Sequence, residues 1–438
     1  MKKIVIALCT LLLFFVSYAG KNIIETEGKA TGANIVKIEG KKGSWYLTLN
    51  GKPFELKGVG INYGYGTYGQ DFMKMAKEMG ANTVRSWNYT QGVLGKSYLD
   101  HAQKNGLYVA SWMWLNPAKD EYKTISYKKG SPYRKRCRER VLRWVNDLKN
   151  HPALLMWGLG NEVIFFSKSE EEKIAFARFL NELCEMIHNI DPNHPIIYAS
   201  MEAQALPYLV KYTPELDIIG MNTYSSLISM HKRWEMTGFN KPYILTEFGP
   251  VNKWGVSKDV NGLPMDPPDW HKARQYKRFF KDINKYKGYC LGGFVFHLGE
   301  LCQWTDSWWN LTWGRLKRPS YWVAYEAYTG EKPQNRPPKI NSVGLSKQNN
   351  IKPFEEITVE VDAEDPDGDS LTIDYDLRTV KEGIVQRRVE EYYEELAIPT
   401  ESGFKLKAPS CEGTFILYIL VKDGHGNVAI ANRSLIIE

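Results

Sequence analysis

Between residues 55 and 330 the sequence alternates, eight times over, a short apolar run with a longer stretch of helical periodicity. Few folds satisfy that constraint. The apolar runs are 55–61, 82–87 (NTVRSW), 107–114 (LYVASWMW), 154–160 (LLMWGLG), 195–199 (PIIYA), 217–221 (DIIGM), 242–246 (PYILT) and 290–297 (CLGGFVFH). Helical patterns fill 70–79, 97–105, 132–149, 169–189, 204–212, 227–236 and 269–286. An eighth, 319–330, opens on Pro319 and stops at Gly330, residues that suit those two helix ends. A strand that is apolar throughout buries both faces, and a parallel sheet flanked by helices provides that burial. Eight strand–helix units therefore predict an α/β chain built on a (β/α)8 TIM barrel. The competing arrangement, an open doubly wound sheet, usually carries a G-x-G-x-x-G phosphate turn after its first strand. "GVGINYGYGTYGQ" (58–70) lacks that spacing.

The pattern changes on both sides of this core. A hairpin signal at 43–64, around the turn "NGKP", leads into the first strand, which puts the barrel unit at 36–330. Residues 331–340, rich in Pro and charge, read as a linker. Strand-like runs follow, among them "ITVEVDA", "LTIDYDL" and "TFILYILVKD", with turns at "DPDGD" and "DGHGN". They predict a small C-terminal immunoglobulin-like β-sandwich over 341–438. Tyr392 and Tyr393 are its main exposed-looking aromatic residues, so bracing or spacing is its expected role. The acidic turn 364–369 has a calcium-loop composition, but such turns are more often only turns, and no metal is assigned.

Lys2 and Lys3, the apolar stretch 4–16 and Ser17-Tyr18-Ala19 make 1–19 a signal peptide. The chain is therefore expected to be exported, to the periplasm, the cell surface or beyond. No later run has the length of a transmembrane segment. Outside the leader, Cys137, Cys184, Cys290, Cys302 and Cys411 are too scattered for a disulfide framework or a metal site, and only Cys290 and Cys302 could bridge across a loop. The formal net charge of +7 is spread along the chain, and its densest basic patch, 127–140, reads as a loop and a solvated helix start. No nucleic-acid partner is expected.

In such a barrel the C-terminal ends of the strands face the active site, while the strand bodies fill the core. That rule selects Arg85 and Asn88 after the second strand, Trp114 at the third, and Asn161 and Glu162 after the fourth. It also selects Asn222 to Tyr224 after the sixth, Glu247 at the seventh, and His297 with the Trp304 loop after the eighth. Two glutamates at one mouth suit chemistry in which one carboxyl is a protonated acid and the other an ionised nucleophile or base. Tyr63, Tyr65, Trp87, Tyr89, Trp114, Trp304 and Trp313 crowd the same segments. Such rings stack on sugar faces at low entropic cost, and roughly half of them are expected to touch substrate. In "SWMWL" the strand alternation makes Trp112 the core residue.

"NGKPFELKGVGIN", "ANTVRSWN", "HPALLMWGLGNEV", "DIIGMNTY" and "KPYILTEFG" resemble the retaining glycoside hydrolases of clan A. The likeness is strongest to the catalytic barrel of glycoside hydrolase family 2, with family 5 and the β-glucanosyltransferases similar in pattern. It covers 43–330, and its specific part is the Asn-Glu and Thr-Glu-Phe-Gly signatures at strands four and seven. The resemblance implies that Glu162 is the general acid/base and Glu247 the nucleophile. Asn161 would then bind the sugar 2-hydroxyl, Arg85 would keep Glu247 charged, and Tyr224 would donate a hydrogen bond to it. Clan members usually place a Trp at the end of strand eight; here His297 holds the nearest position, and Trp304, Trp308 and Trp309 follow in the loop. The expectation is a monomeric retaining β-glycosidase, without cofactor, acting on a β-linked carbohydrate. A β-glucanosyltransferase using the same pair is the alternative. A non-catalytic glycan-binding protein is a third reading, against which the joint presence of Glu162, Glu247, Asn161, Arg85 and Tyr224 argues.

Overall fold

Eight parallel strands close into a barrel: β1 (Leu56–Gly60), β2 (Thr83–Arg85), β3 (Tyr108–Met113), β4 (Leu154–Asn161), β5 (Ile196–Met201), β6 (Ile218–Thr223), β7 (Tyr243–Phe248) and β8 (Cys290–Val295). They pair in the cyclic order β7-β8-β1-β2-β3-β4-β5-β6. The helices between and after them are α1 (Phe72–Glu78), α2 (Lys96–Lys104), α3 (Pro132–Leu148), α4 (Glu170–Ile190), α5 (Leu206–Tyr212), α6 (Leu227–Met236), α7 (Asp269–Lys285) and α8 (Pro319–Thr329). The structure, a computed structural model, describes residues 32–87, 95–122, 124–381, 384–388 and 397–438, the side chains of 384–388 excepted. The expected leader, Asn88, Tyr89, Tyr392 and Tyr393 lie outside the described residues. No helix among the described residues is long and apolar enough to cross a membrane.

Packing inside the barrel fixes the course of β4. A Cβ on Gly158 would lie 2.0 Å from the Trp112 ring, so only glycine fits there. The buried Trp112 indole takes that space and donates to the Gly160 carbonyl at 2.9 Å. Both glutamate-bearing strands then slip register near their ends. On β4, Gly158 pairs with Ile197 but Asn161 pairs with Ala199; on β7, Leu245 pairs with Met221 but Glu247 pairs with Asn222. Each slip inserts one extra residue, which breaks the two-residue alternation and re-aims the side chains that follow. Glu162 takes a left-handed φ of 55°, donates its N–H to the Ala199 carbonyl at 2.8 Å, and precedes a short helical turn, Val163–Phe166.

An antiparallel ribbon, Val36–Glu39, Tyr46–Leu49 and Lys52–Phe54, precedes β1. Asn50 and Gly51 turn its second hairpin with φ of 52° and 76°, the positive pair that an Asn-Gly turn accepts. Val36 and Leu47 join the barrel-interior cluster with Leu56 and Trp112. The first of these strands lies in a stretch where the sequence shows little pattern.

Beyond α8 come β9 (Lys339–Leu345), β10 (Glu356–Glu364), β11 (Thr372–Lys381), β12 (Ile384–Arg388), β13 (Ala397–Thr400), β14 (Gly403–Lys407), β15 (Gly413–Lys422) and β16 (Val428–Ile437). They form two four-stranded antiparallel sheets, β9-β10-β14-β13 and β12-β11-β15-β16, that share one apolar core. β9 begins inside the expected linker. β15 is buried on both faces. Phe415, Leu417, Ile419 and Val421 enter the core between the sheets, while Ile416, Tyr418 and Leu420 pack with Leu263, Trp313 and Leu316 of the barrel unit. Trp313, expected at the mouth, instead packs at a tilt against Tyr418, with ring centroids 4.9 Å apart.

Polar anchors reinforce this junction. Arg318 and Asp269 form a buried ion pair, and the Ile430 N–H donates to the same carboxylate at 2.9 Å. Arg336, next to the sheets, pairs with Asp367 of the acidic turn at 2.7 Å, where the Asp365, Asp367 and Asp369 carboxylates lie within 4.8 Å of one another. None of Cys137, Cys184, Cys290, Cys302 and Cys411 forms a disulfide. Cys290 opens β8 and Cys302 lies past its far end, so a strand of about 20 Å separates them, well beyond disulfide reach.

Removing the Asp269 carboxylate strands the buried Arg318 cation and frees the Ile430 N–H. Asp269→Ala is expected to lower stability by about 3–5 kcal/mol, read as a lower midpoint in chemical denaturation.

Candidate active site

Arg85, at the end of β2, is fully buried beneath the mouth. Its guanidinium lies between two indoles, 4.2 Å from the Trp112 ring centroid and 4.5 Å from that of Trp87. Nη1 donates to Glu247 Oε1 and to the Thr246 carbonyl, each at 2.7 Å, and Nη2 donates to Asn161 Oδ1 at 2.7 Å. Three strands are thereby tied to one cation. Glu247 accepts two further bonds, from Trp87 Nε1 at 3.1 Å and from the Tyr224 hydroxyl. Burial, with the Glu247 charge beside it, holds the Tyr224 hydroxyl well above the usual tyrosine range, so it remains a donor.

Glu162 is differently placed. Its Oε1 accepts from Asn222 Nδ2 at 2.7 Å. Burial, followed by the charge of Glu247, pushes its carboxyl up to about 7, against the smaller opposing effects of Asn222 and Arg85. The two glutamates are nearly buried, at 9% and 6% exposure, yet both line one cleft of about 840 Å³. A carboxyl raised by burial in this way is suited to act as a protonated acid beside a second carboxylate. Asn161 sits beside them. Its Oδ1 is taken by Arg85 and, at 3.1 Å, by Asn222, which leaves its amide N–H groups as what it offers the cleft.

Trp114 and Trp304 line the cleft with the glutamates, as does Tyr63; Tyr65 instead stacks on His101 at 4.3 Å. Expected site residue Asn88 is outside the described residues. His297 is a correction. It is 1% exposed, packs against Trp87 and Phe296, and is absent from the cleft wall, where Phe296 stands. Burial pushes the His297 imidazole down to about 4, so it is a neutral packing group at ordinary pH. Trp309, 4.6 Å from the Tyr224 ring, also lines the cleft, so loop tryptophans supply the aromatic wall at this end.

Asn222 is placed at the mouth by its strand-end position but is given no role by the sequence; here it bonds both Asn161 and Glu162 and accepts from Thr246 Oγ1 at 2.7 Å. Its signal was present: it lies two residues before Tyr224, on the same face of a strand. The same spacing relates Arg85 to Trp87, whose N–H bond to Glu247 was likewise unforeseen.

A (β/α)8 barrel with paired glutamates at the ends of β4 and β7 defines the structural class. Residues 38–262 match the family model "Glycosyl hydrolases family 2, TIM barrel domain", and the chain belongs to that family. It is 26% identical over 267 residues to a β-glucuronidase of Paenibacillus borealis, covering 54% of this chain and 40% of that protein. It is 26% identical over 323 residues to a β-galactosidase of Leuconostoc mesenteroides, covering 71% of this chain and 26% of that protein. Bacteroides uniformis β-glucuronidase 2, solved covalently bound to cyclophellitol-6-carboxylate aziridine, shares the fold with a TM-score of 0.51 and 16% identity, over 92% of this chain and 48% of that one. The chain thus spans less than half the length of these relatives.

Folded Glu162 holds a proton that the unfolded chain, with its carboxyl near 4.5, has already released. Stability therefore falls as pH rises from about 4.5 to 7, and the cost persists above that window. Glu162→Gln is expected to be more stable than the parent at pH 8, by about 1–3 kcal/mol, and to lose that advantage at pH 4. Denaturation midpoints across pH check both signs.

Proposed function

We propose that this chain is a retaining β-glycoside hydrolase that cleaves β-linked glycans by double displacement. The carrying observation is the contrast within one cleft: Glu247 accepts from Arg85, Trp87 and Tyr224, while Glu162 is pushed up to about 7. In the first step Glu247 attacks the anomeric carbon as Glu162 gives its proton to the departing glycosidic oxygen. In the second, Glu162 takes a proton from water, and that water displaces Glu247 from the glycosyl ester. The Asn161 amide would donate to the sugar 2-hydroxyl as positive charge develops on the ring. Trp114, Trp304 and Trp309 supply rings for sugar faces.

The family and its relatives support a carbohydrate substrate, and the β-glucuronidase and β-galactosidase likenesses make those two glycosides the first to test. We read the C-terminal sheet pair as an immunoglobulin-like sandwich, on its two antiparallel sheets and shared core. Export rests on the leader-like residues 1–19.

With 4-nitrophenyl β-D-galactoside or β-D-glucuronide, Glu247→Ala is expected to lose at least ~10³-fold in kcat/KM. Proton NMR of the parent reaction should show the β-anomer formed first. Parental turnover by Glu247→Ala would refute the nucleophile assignment, and an α-anomer formed first would refute double displacement.

A further inference from the structure

The cleft that holds Glu162 and Glu247 has a neighbour on the side of the C-terminal sheets. Gln303 and Trp304 line both the cleft and a second groove of about 350 Å³ that runs between the β8 loop and the C-terminal sheets. Barrel residues Lys253, Met265 and Trp304 form one side of it; Val380, Ile416 and Arg433 of the sheets form the other. At the join, the Trp254 ring meets the Trp304 ring edge-on with centroids 5.6 Å apart. Trp254 is 69% exposed although it lines the cleft. The Lys253 ammonium sits over both rings, 5.2 Å from Trp304 and 5.6 Å from Trp254.

We infer that this junction groove is a distal subsite, occupied by further sugar residues of the glycan whose bond lies between Glu162 and Glu247. The inference rests on the glycosidase reading and extends it, from a single sugar with a small leaving group to a glycan chain several units long. Three features favour this occupant. The groove and the cleft share Gln303 and Trp304 in their walls, so a ligand passing these two residues would span both. Its walls mix indole faces with the polar side chains of Lys253 and Gln303, which suits a ligand with apolar ring faces and hydroxyl edges. The sheets are fixed to the barrel through the apolar cluster around Tyr418, the Ile430 N–H bond to Asp269 and the Arg378–Asp306 pair, so the far wall is pre-organised and little ordering cost falls on binding. On this view the C-terminal sheets take part in substrate selection.

The test uses the full-length Glu162→Gln protein and calorimetric titration with β-1,4-linked gluco-, manno- and galacto-oligosaccharides of two and of six units. One series is expected to bind at least about tenfold tighter as the hexamer than as the dimer. Met265→Trp, at a half-exposed position, and Val380→Trp, from the sheet side, each fill the groove in the same background. Both should bring that ratio to within about twofold. Equal affinity for short and long chains, no binding in any series, or an unchanged ratio in a folded Met265→Trp protein overturns the subsite. Because the readout is binding, it stands apart from the anomer and turnover measurements that decide the mechanism.

Discussion

The buried Arg85 guanidinium is the interaction on which the rest of the site depends. A cation with no exposed surface loses its hydration, and a protein tolerates that only where charge and hydrogen bonds replace the water. Here the replacement comes from Glu247, the Thr246 carbonyl and Asn161, with indole faces above and below. The arrangement binds in both directions. Arg85 needs the charge of Glu247 to be stable where it is, and Glu247 is oriented by the donors that Arg85, Trp87 and Tyr224 supply. Glu162, whose side chain accepts from the neutral Asn222 rather than from a cation, is therefore the carboxyl that burial drives toward the protonated form. One asymmetry of partners thus distinguishes the two carboxyls, and the proposed roles rest on it.

That constraint reaches back into the barrel. Arg85 rests on Trp112, Trp112 occupies space left by Gly158, and Gly158 precedes the β4 register slip that delivers Asn161 and Glu162 to the mouth. β7 repeats the device just before Glu247. A regular strand alternates its side chains between the barrel interior and the helix layer, so an inserted residue is an economical way to re-aim a carboxyl without moving the strand.

The barrel was legible in the sequence because its signals are local: apolar runs for strands buried on both faces, a 3.6-residue period for helices, and proline and glycine at helix ends. Glu162, Glu247, Arg85 and Tyr224 were legible because strand ends face the mouth. What escaped depends on contacts between distant segments. Neither register slip has a sequence signature. Asn222 is legible as a mouth residue, but its role is not, because that role comes from two neighbours on another strand. His297 was misplaced because β8 ends at Val295, beyond which alternation no longer says which residue faces inward; Phe296 does. Trp313 was assigned to the mouth by proximity in sequence, whereas the surface that receives it, around Tyr418, lies more than a hundred residues later. The same contact explains why "TFILYILV" is continuously apolar: one face serves the core between the sheets and the other serves the barrel.

The cleft wall itself depends on that docking. Trp304 has a φ of +70°, which costs a bulky residue of order 1–3 kcal/mol and persists only where surroundings hold it. The rings of Trp254, Trp308 and Trp309 pack around its indole. Two residues on, the Asp306 N–H donates to the Tyr418 hydroxyl at 3.0 Å, and the Asp306 carboxylate pairs with Arg378 at 2.7 Å. Both partners belong to the C-terminal sheets. The loop that carries the aromatic wall is thus pinned from the barrel on one side and from the sheets on the other. Loosening the sheets would relax the strained Trp304 backbone before it disturbed Glu162 or Glu247, which are held by the barrel strands. On the proposed function, shape selection in the cleft and the chemistry at its floor would therefore rest on separable parts of one chain.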